Sequence, residues 1–219
     1  MKIGVFGTGS VGSAIATALV ANGHHVMMGS RSAGSERAVA WRDKTGTNAA
    51  EGSFADAASF GEIIFLCLNG AFVLDVLASI PAMDLHDKII IDVTNPLDFS
   101  AGMPPRILPA FQTVSLGEQV QAAVPGAYVV KALNTLNYKL MVDARLVNEG
   151  DHNIFICGND TVAKERVKDL LVENFHWRAD NLLDLGDIRT AHCTEAIVPF
   201  WVLVMQSYHT PLFNFKVVH

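Results

Sequence analysis

Gly7-Thr8-Gly9-Ser10-Val11-Gly12 is a complete G-x-G-x-x-G, and its placement constrains the fold more than any other feature of the chain. It follows a short apolar run, residues 2–6, and opens an alanine-rich stretch, residues 11–21, with helical spacing. Alone the hexapeptide is generic; between a strand and a helix it specifies a strand–turn–helix opening. Each glycine has a mechanical task. Gly7 permits the tight turn, Gly9 lets the backbone approach a diphosphate, and Gly12 lets the helix pack closely on the strand. The first amides of that helix, with its dipole, favour an anion. Gly7, Thr8, Gly9, Ser10, Val11 and Gly12 are therefore expected to cradle a dinucleotide.

The remaining chain keeps the same rhythm. Residues 25–28, 62–68, 88–93, 128–132, 153–157 and 182–185 read as strands, and residues 35–44, 53–60, 72–80 and 161–174 as helices. Ser53 suits a helix cap and Pro81 a helix stop. Unbroken β-branched runs such as Ile89-Ile90-Ile91 fit a sheet covered on both faces. Strands alternating with helices predict right-handed crossovers, hence an α/β fold with a Rossmann-type doubly wound, mostly parallel sheet. Residues 98–109, with Gly102 and three prolines, read as one long loop. From Asp187 onward the sequence turns apolar and aromatic (Phe200, Trp201, Tyr208, Phe213, Phe215), which predicts a helical C-terminal segment. Those aromatics either pack the last helix onto the sheet or form a pocket wall or a dimer contact.

The dinucleotide can be narrowed at the end of the second strand. An acidic residue there accepts hydrogen bonds from the ribose 2′-hydroxyl of NAD. This chain instead has Ser30, Arg31 and Ser32. A guanidinium fork between two hydroxyls suits a 2′-phosphate, so NADP(H) is the expected cofactor. Arg37 offers a second cation, or with Glu36 a solvated surface pair. Residues 1–186 are accordingly expected to form the NADP-binding domain, and residues 187–219 a substrate-pocket wall, a dimer contact or both.

Composition excludes several alternatives. Sixteen Lys and Arg against 22 Asp and Glu give a net charge of −6, unlike a nucleic-acid binder that must neutralise phosphates. With 50% hydrophobic and 17% charged residues the chain can fill a core. Cys67, Cys157 and Cys193 are too far apart for a disulfide framework and are expected to be buried thiols. Met1 leads straight into a strand with no leader-type apolar core, and the apolar run at residues 196–205 is too short to span a bilayer. A cytoplasmic protein without membrane insertion is expected. No Ser–His–Asp pattern, nucleophile elbow or Walker lysine is present, so hydrolase and kinase chemistry falls away.

In a doubly wound sheet, ligands lie beyond the carboxyl ends of the strands. Leu68 and Asn69 are expected along the nicotinamide ribose, and Asn95, Ala132 and Asn134 near the ring. Either Asn can equally cap a turn. Lys131 ends a strand, and His192 and Glu195 stand three apart on the expected last helix, able to share a proton; no third residue is spaced to complete a metal site. No catalytic residue is assigned.

These segments resemble the NADPH-dependent deazaflavin (coenzyme F420) reductases and related bacterial dinucleotide-binding oxidoreductases. The resemblance rests on the glycine turn, Gly29-Ser30-Arg31, Asp92-Val93-Thr94-Asn95-Pro96-Leu97 and Val130-Lys131-Ala132-Leu133-Asn134-Thr135. It continues through residues 115–126, Cys157-Gly158-Asn159-Asp160 and the stretch from Leu185 to Glu195. It implies direct hydride transfer between nicotinamide and a flavin- or deazaflavin-like small-molecule acceptor, in a homodimer. The chain departs from that pattern in having Arg106 as its one candidate cation for an acidic deazaflavin tail. Two other readings stand beside this one. The first is an NADPH-dependent imine or carbonyl reductase using Asn134, Lys131 or His192 as proton donor; the second is an NADPH-binding sensor without turnover.

Overall fold

The computed structural model describes residues 1–218; residue 219, the last of the expected C-terminal segment, lies outside them. The opening strand β1 (Lys2–Phe6) runs through the glycine turn into α1 (Ser10–Ala21), then β2 (His25–Ser30), α2 (Glu36–Thr45), β3 (Ala49–Ser53), α3 (Phe54–Phe60) and β4 (Ile63–Leu66). Then come α4 (Val73–Ala78), β5 (Ile89–Asp92), β6 (Leu97–Asp98), β7 (Arg106–Ile107), α5 (Leu116–Ala123) and β8 (Tyr128–Lys131). The chain finishes with α6 (Tyr138–Val142), β9 (Ile154–Gly158), α7 (Thr161–Phe175), β10 (Leu182–Asp184), α8 (Ala191–Ala196) and α9 (Val198–Tyr208).

Eight strands form one sheet in the order β10-β9-β8-β5-β4-β1-β2-β3. Every pairing from β3 to β8 is parallel, as is β9 with β10, and β8 pairs antiparallel with β9. The expected Rossmann-like, mostly parallel α/β fold is therefore present, with a helical C-terminal segment. Strand alternation divides the core into two layers. Ile3, Val5, Ile63, Phe65, Ile91 and Val130 face α1 and α7, whereas Phe6, Ile64, Leu66, Ile90 and Val129 face α3, α4 and α5. Asp92 and Lys131 share the second face, and this phase aims both beneath α5 and α8. Ser53 caps α3 as expected, in a reciprocal box with Asp56, and Ser115 does the same for α5 with Glu118.

Three expectations need correction, on β3, residues 98–109 and the cysteines. Strand β3 was not anticipated, because Ala-Ala-Glu-Gly-Ser contains no β-branched or aromatic residue; backbone pairing with β2, from Val26↔Ala49 to Ser30↔Ser53, makes it a strand. Residues 98–109 are not one loop: Leu97 pairs with Ile107 and Asp98 with Arg106 in a small antiparallel hairpin. Of the cysteines, Cys157 is buried, Cys67 half-buried and Cys193 exposed. The tail aromatics pack largely on one another. Phe213 stacks on Trp201 at 5.0 Å and Phe215 on Phe200 at 5.8 Å, while Phe200 and Tyr208 stay exposed. The tail is tied to the start of β9 by the Asn153 amide donating to the Phe215 carbonyl at 3.0 Å.

Candidate active site

Strands β1, β2, β4, β5 and β8 all end on one edge of the sheet, where the sequence places its candidate ligands. Gly7 has φ +121°, and a Cβ there would sit 2.3 Å from the Cys67 carbonyl oxygen. A Cβ on Gly12 would come 2.1 Å from the Gly7 carbonyl oxygen. Both glycines are therefore demanded by the protein's own packing. Gly9 differs: a Cβ there meets nothing within 4 Å, so the space above it is open. Gly9 is also the N-cap of α1, provides no side-chain cap bond, and precedes a first turn free of acidic residues. Its neighbours Ser10, Val11 and Gly12 open that turn, whose amides have no intrahelical acceptor.

A cavity of about 420 Å³ joins this turn to the end of β2; Gly7, Thr8, Ser30, Arg31, Ser32 and Leu68 all line it. Six of the fourteen expected cofactor residues thus meet in one place. Arg31 is exposed, and so is Arg37, which lines the same cavity. Among the described residues neither has a carboxylate partner. Ser30 is buried, and its hydroxyl donates to the Ser32 carbonyl at 2.7 Å, so its proton stays within the turn.

The cavity wall also includes Ser35, Glu36 and Phe54. Ser35 is the N-cap of α2, yet its side chain makes no cap bond. Its Oγ is buried with no hydrogen-bond partner among the described residues. A buried hydroxyl without a partner costs free energy unless something else satisfies it. The sequence places Ser35 at the start of the helix 35–44; the structure makes it the N-cap of a helix that begins at Glu36, in the wall of this cavity.

The other expected residues sit farther along the edge and are bonded to the protein itself. Asn69 is exposed, and its Oδ1 accepts the Ala71 amide at 3.0 Å. Asn95 donates from Nδ2 to the Asn134 carbonyl at 2.7 Å, and Asn134 donates to Asn95 Oδ1 at 2.9 Å and to the Thr194 carbonyl at 3.0 Å. Ala132 is buried, and the adjoining Leu133 takes φ +63°, a left-handed conformation costly for a branched residue. That bend lies between β8 and Asn134, whose side-chain amide reaches α8.

Beneath the asparagine pair lies a group of buried charges. The Lys131 ammonium donates to Asp92 Oδ2 at 2.8 Å and to the Thr94 carbonyl at 2.7 Å, and it pairs with Glu195 Oε1 at 2.8 Å. Burial works against this ammonium, but Asp92 and Glu195 outweigh it and raise the pKa above the ordinary lysine value. Glu195 also accepts the Leu116 and Gly117 amides, each at 2.9 Å, from the first turn of α5. It is therefore not paired with His192, which is exposed. No group of three or more metal-ligating side chains occurs among the described residues. Nearby, burial raises the Cys157 thiol to about 11. A smaller cavity of about 290 Å³ is bounded by Ile107, Phe111 and Gln112 on one side and His192, Glu195 and Ala196 on the other.

Fold and turn together define the dinucleotide-binding Rossmann class. Comparison with known proteins narrows the class. The family described as NADP oxidoreductase, coenzyme F420-dependent, matches residues 2–96. A solved structure from Arthrobacter sp. FB24, described as a candidate F420-dependent NADP reductase, is 40% identical, covers 100% of both chains and superposes with a TM-score of 0.91. The F420-dependent NADP reductase of Methanocaldococcus jannaschii is 30% identical over 67% of this chain and 63% of its own length. The metalloreductase STEAP3 of Rattus norvegicus is 28% identical over 91% of this chain and 38% of its own. The chain thus spans less than two thirds of these two curated relatives. It belongs to the coenzyme F420-dependent NADP oxidoreductase family, whose members are NADP-dependent oxidoreductases.

Proposed function

We propose that the chain transfers a hydride between NADP(H) and a flavin- or deazaflavin-like acceptor. The observation that carries this reading is the cavity beyond β2, where the unpartnered Ser35 hydroxyl stands beside Arg31 and Arg37. A phosphate monoester on the adenosine ribose satisfies a hydroxyl and two guanidinium groups at once. The open face of Gly9 and the first-turn amides of α1 suit the diphosphate. Thr8, Ser10 and Val11 belong to that cradle, and Leu68, Asn69, Asn95, Ala132 and Asn134 to the nicotinamide side. When bound, NADPH supplies the hydride, and the protein's part is binding, orientation and exclusion of water. Consistent with that division, Asp92, Lys131 and Glu195 are spent on one another and on backbone groups. The acceptor is assigned to the smaller cavity, where Ile107 and Phe111 offer an apolar wall to a flat ring and Gln112 and His192 a polar edge. Within the C-terminal segment from residue 187, α8 then serves as the substrate wall.

Imine or carbonyl reduction is the second reading. His192 lines this cavity, and its ring makes no hydrogen bond among the described residues, as a proton donor to substrate requires. Phe200, Leu203 and Tyr208 are exposed on α9 and support a contact between two copies. No described helix is long and apolar enough to cross a membrane, and we read the protein as cytoplasmic.

Calorimetry with NADPH and NADH, followed by a turnover screen, tests the assignment. Preferential NADPH binding with oxidation by flavin or deazaflavin is expected. Oxidation by imines or aldehydes alone selects the second reading, and tight binding without turnover selects a sensor. Equal affinity for NADPH and NADH would overturn the 2′-phosphate assignment.

A further inference from the structure

We propose that Asp92, Lys131 and Glu195 form a charge lock that positions α8, and that Glu195 is a positioning residue for the acceptor. The inference rests on the acceptor occupying the cavity against α8. Three elements that are remote in sequence meet at the lock: Asp92 ends β5, Lys131 ends β8 and Glu195 comes from α8. The ammonium has three acceptors within 2.8 Å, and the Glu195 carboxylate takes the ammonium and two amides. Every strong donor and acceptor on these two side chains is used, which fixes α8 in distance and direction.

Stability alone does not explain such a group. Desolvating three charges costs about as much as their attraction returns, and apolar side chains of equal volume hold elements together as well. Apolar contact, however, is non-directional and tolerates sliding. Oriented bonds do not, and at this site sliding has a consequence. Glu195, His192 and Ala196 line the acceptor cavity from α8, while the Thr194 carbonyl receives the Asn134 amide. A shift of α8 therefore moves the cavity wall and the Asn134–Asn95 pair together. An independent feature points the same way: a Cβ on Gly117 would lie 2.7 Å from the Ala191 Cβ. The start of α8 is pressed against α5 so closely that only glycine fits there.

The test uses Glu195→Gln, which keeps shape but sets an amide N–H against donors, and Gly117→Ala, which pushes on α8 without changing a charge. Both are expected to raise the acceptor KM about ten- to a hundredfold, as a misplaced wall of about 1 Å does, and to weaken NADPH far less, because only the Asn95–Asn134 pair of its proposed contacts is tied to α8. Gly117→Ala combined with Ala191→Gly removes the collision and is expected to restore the KM. An unaltered acceptor KM in both single variants overturns the proposal. So does an equal loss of acceptor and NADPH binding, which marks the lock as merely structural. If the wild-type chain oxidises NADPH with no acceptor tried, the acceptor reading fails separately, and hydrogen exchange decides the lock. Faster exchange over residues 188–197 in both single variants, with residues 8–15 unchanged, supports it; unchanged exchange over residues 188–197 overturns it.

Discussion

At the end of β2, Arg31 and Arg37 are exposed and without carboxylate partners among the described residues, whereas at the ends of β5 and β8 Asp92 and Lys131 are 0% and 1% exposed and bonded to each other. Both regions lie on the same edge of the same sheet. The difference is one of purpose. Solvated cations cost little to leave unpaired and are available to a ligand, while buried charges must be satisfied by the protein before any ligand arrives. One region keeps its electrostatics for binding, and the other has spent them on placing backbone. Removing the free cations of the first region should therefore cost NADPH affinity without stability, whereas removing a buried charge of the second should cost stability.

Lys131→Met gives the largest effect on the buried side. It leaves Asp92 and Glu195 facing each other without a cation, and a destabilisation of about 3–5 kcal/mol is expected in denaturant unfolding. The effect has a pH signature. The Lys131 pKa is raised in the folded protein, so its contribution is fully present below the unfolded lysine value of about 10.4 and disappears as pH rises through the folded value. Wild type and variant should converge in stability only under strongly alkaline conditions. A gap that closes near neutral pH would mean the ammonium is not what holds the site.

Two glycine variants and Arg31→Ala probe the binding side. Gly12→Ala forces a Cβ into the Gly7 carbonyl and should cost about 1–3 kcal/mol of stability. Gly9→Ala meets open space, so it should melt like wild type and lose NADPH affinity. Arg31→Ala should weaken NADPH about ten- to a hundredfold by removing charge-assisted bonds of ~1.5–3 kcal/mol, with NADH affinity and unfolding free energy unchanged. Loss of stability in either Gly9→Ala or Arg31→Ala would erase the distinction between the two regions.

The same contrast explains what could be read from sequence. The glycine turn was legible because three backbone constraints fall within six residues, and Arg31 because its place after a strand defines its neighbourhood. The place of Lys131 at the end of a strand is legible in sequence, but its partners come from β5 and α8, and only the folded topology brings them together. Helical spacing, the one proximity a sequence displays, pairs Glu195 with His192; in the fold the first turn of α5 and the Lys131 ammonium take it instead. Strand β3 was invisible for a related reason, since pairing at the sheet edge made a strand of residues with little preference for one. The hairpin of β6 and β7 has two residues on each side, too few for any periodicity.

Ser35→Ala has the smallest expected effect and sharpens the comparison most. The residue caps α2 in position but makes no cap bond, so the usual penalty of about 1 kcal/mol for losing a capping serine should be absent. Removing a buried hydroxyl that lacks a partner should leave unfolding unchanged or slightly improved. NADPH affinity should nevertheless fall by about 0.5–1.5 kcal/mol, the net worth of one hydrogen bond, and NADH affinity should not move. Parallel calorimetric titrations and denaturant melts read both quantities. If stability falls and the NADPH preference holds, the hydroxyl serves the helix rather than the phosphate, and the cations of this cavity, Arg31 and Arg37, carry the preference without it.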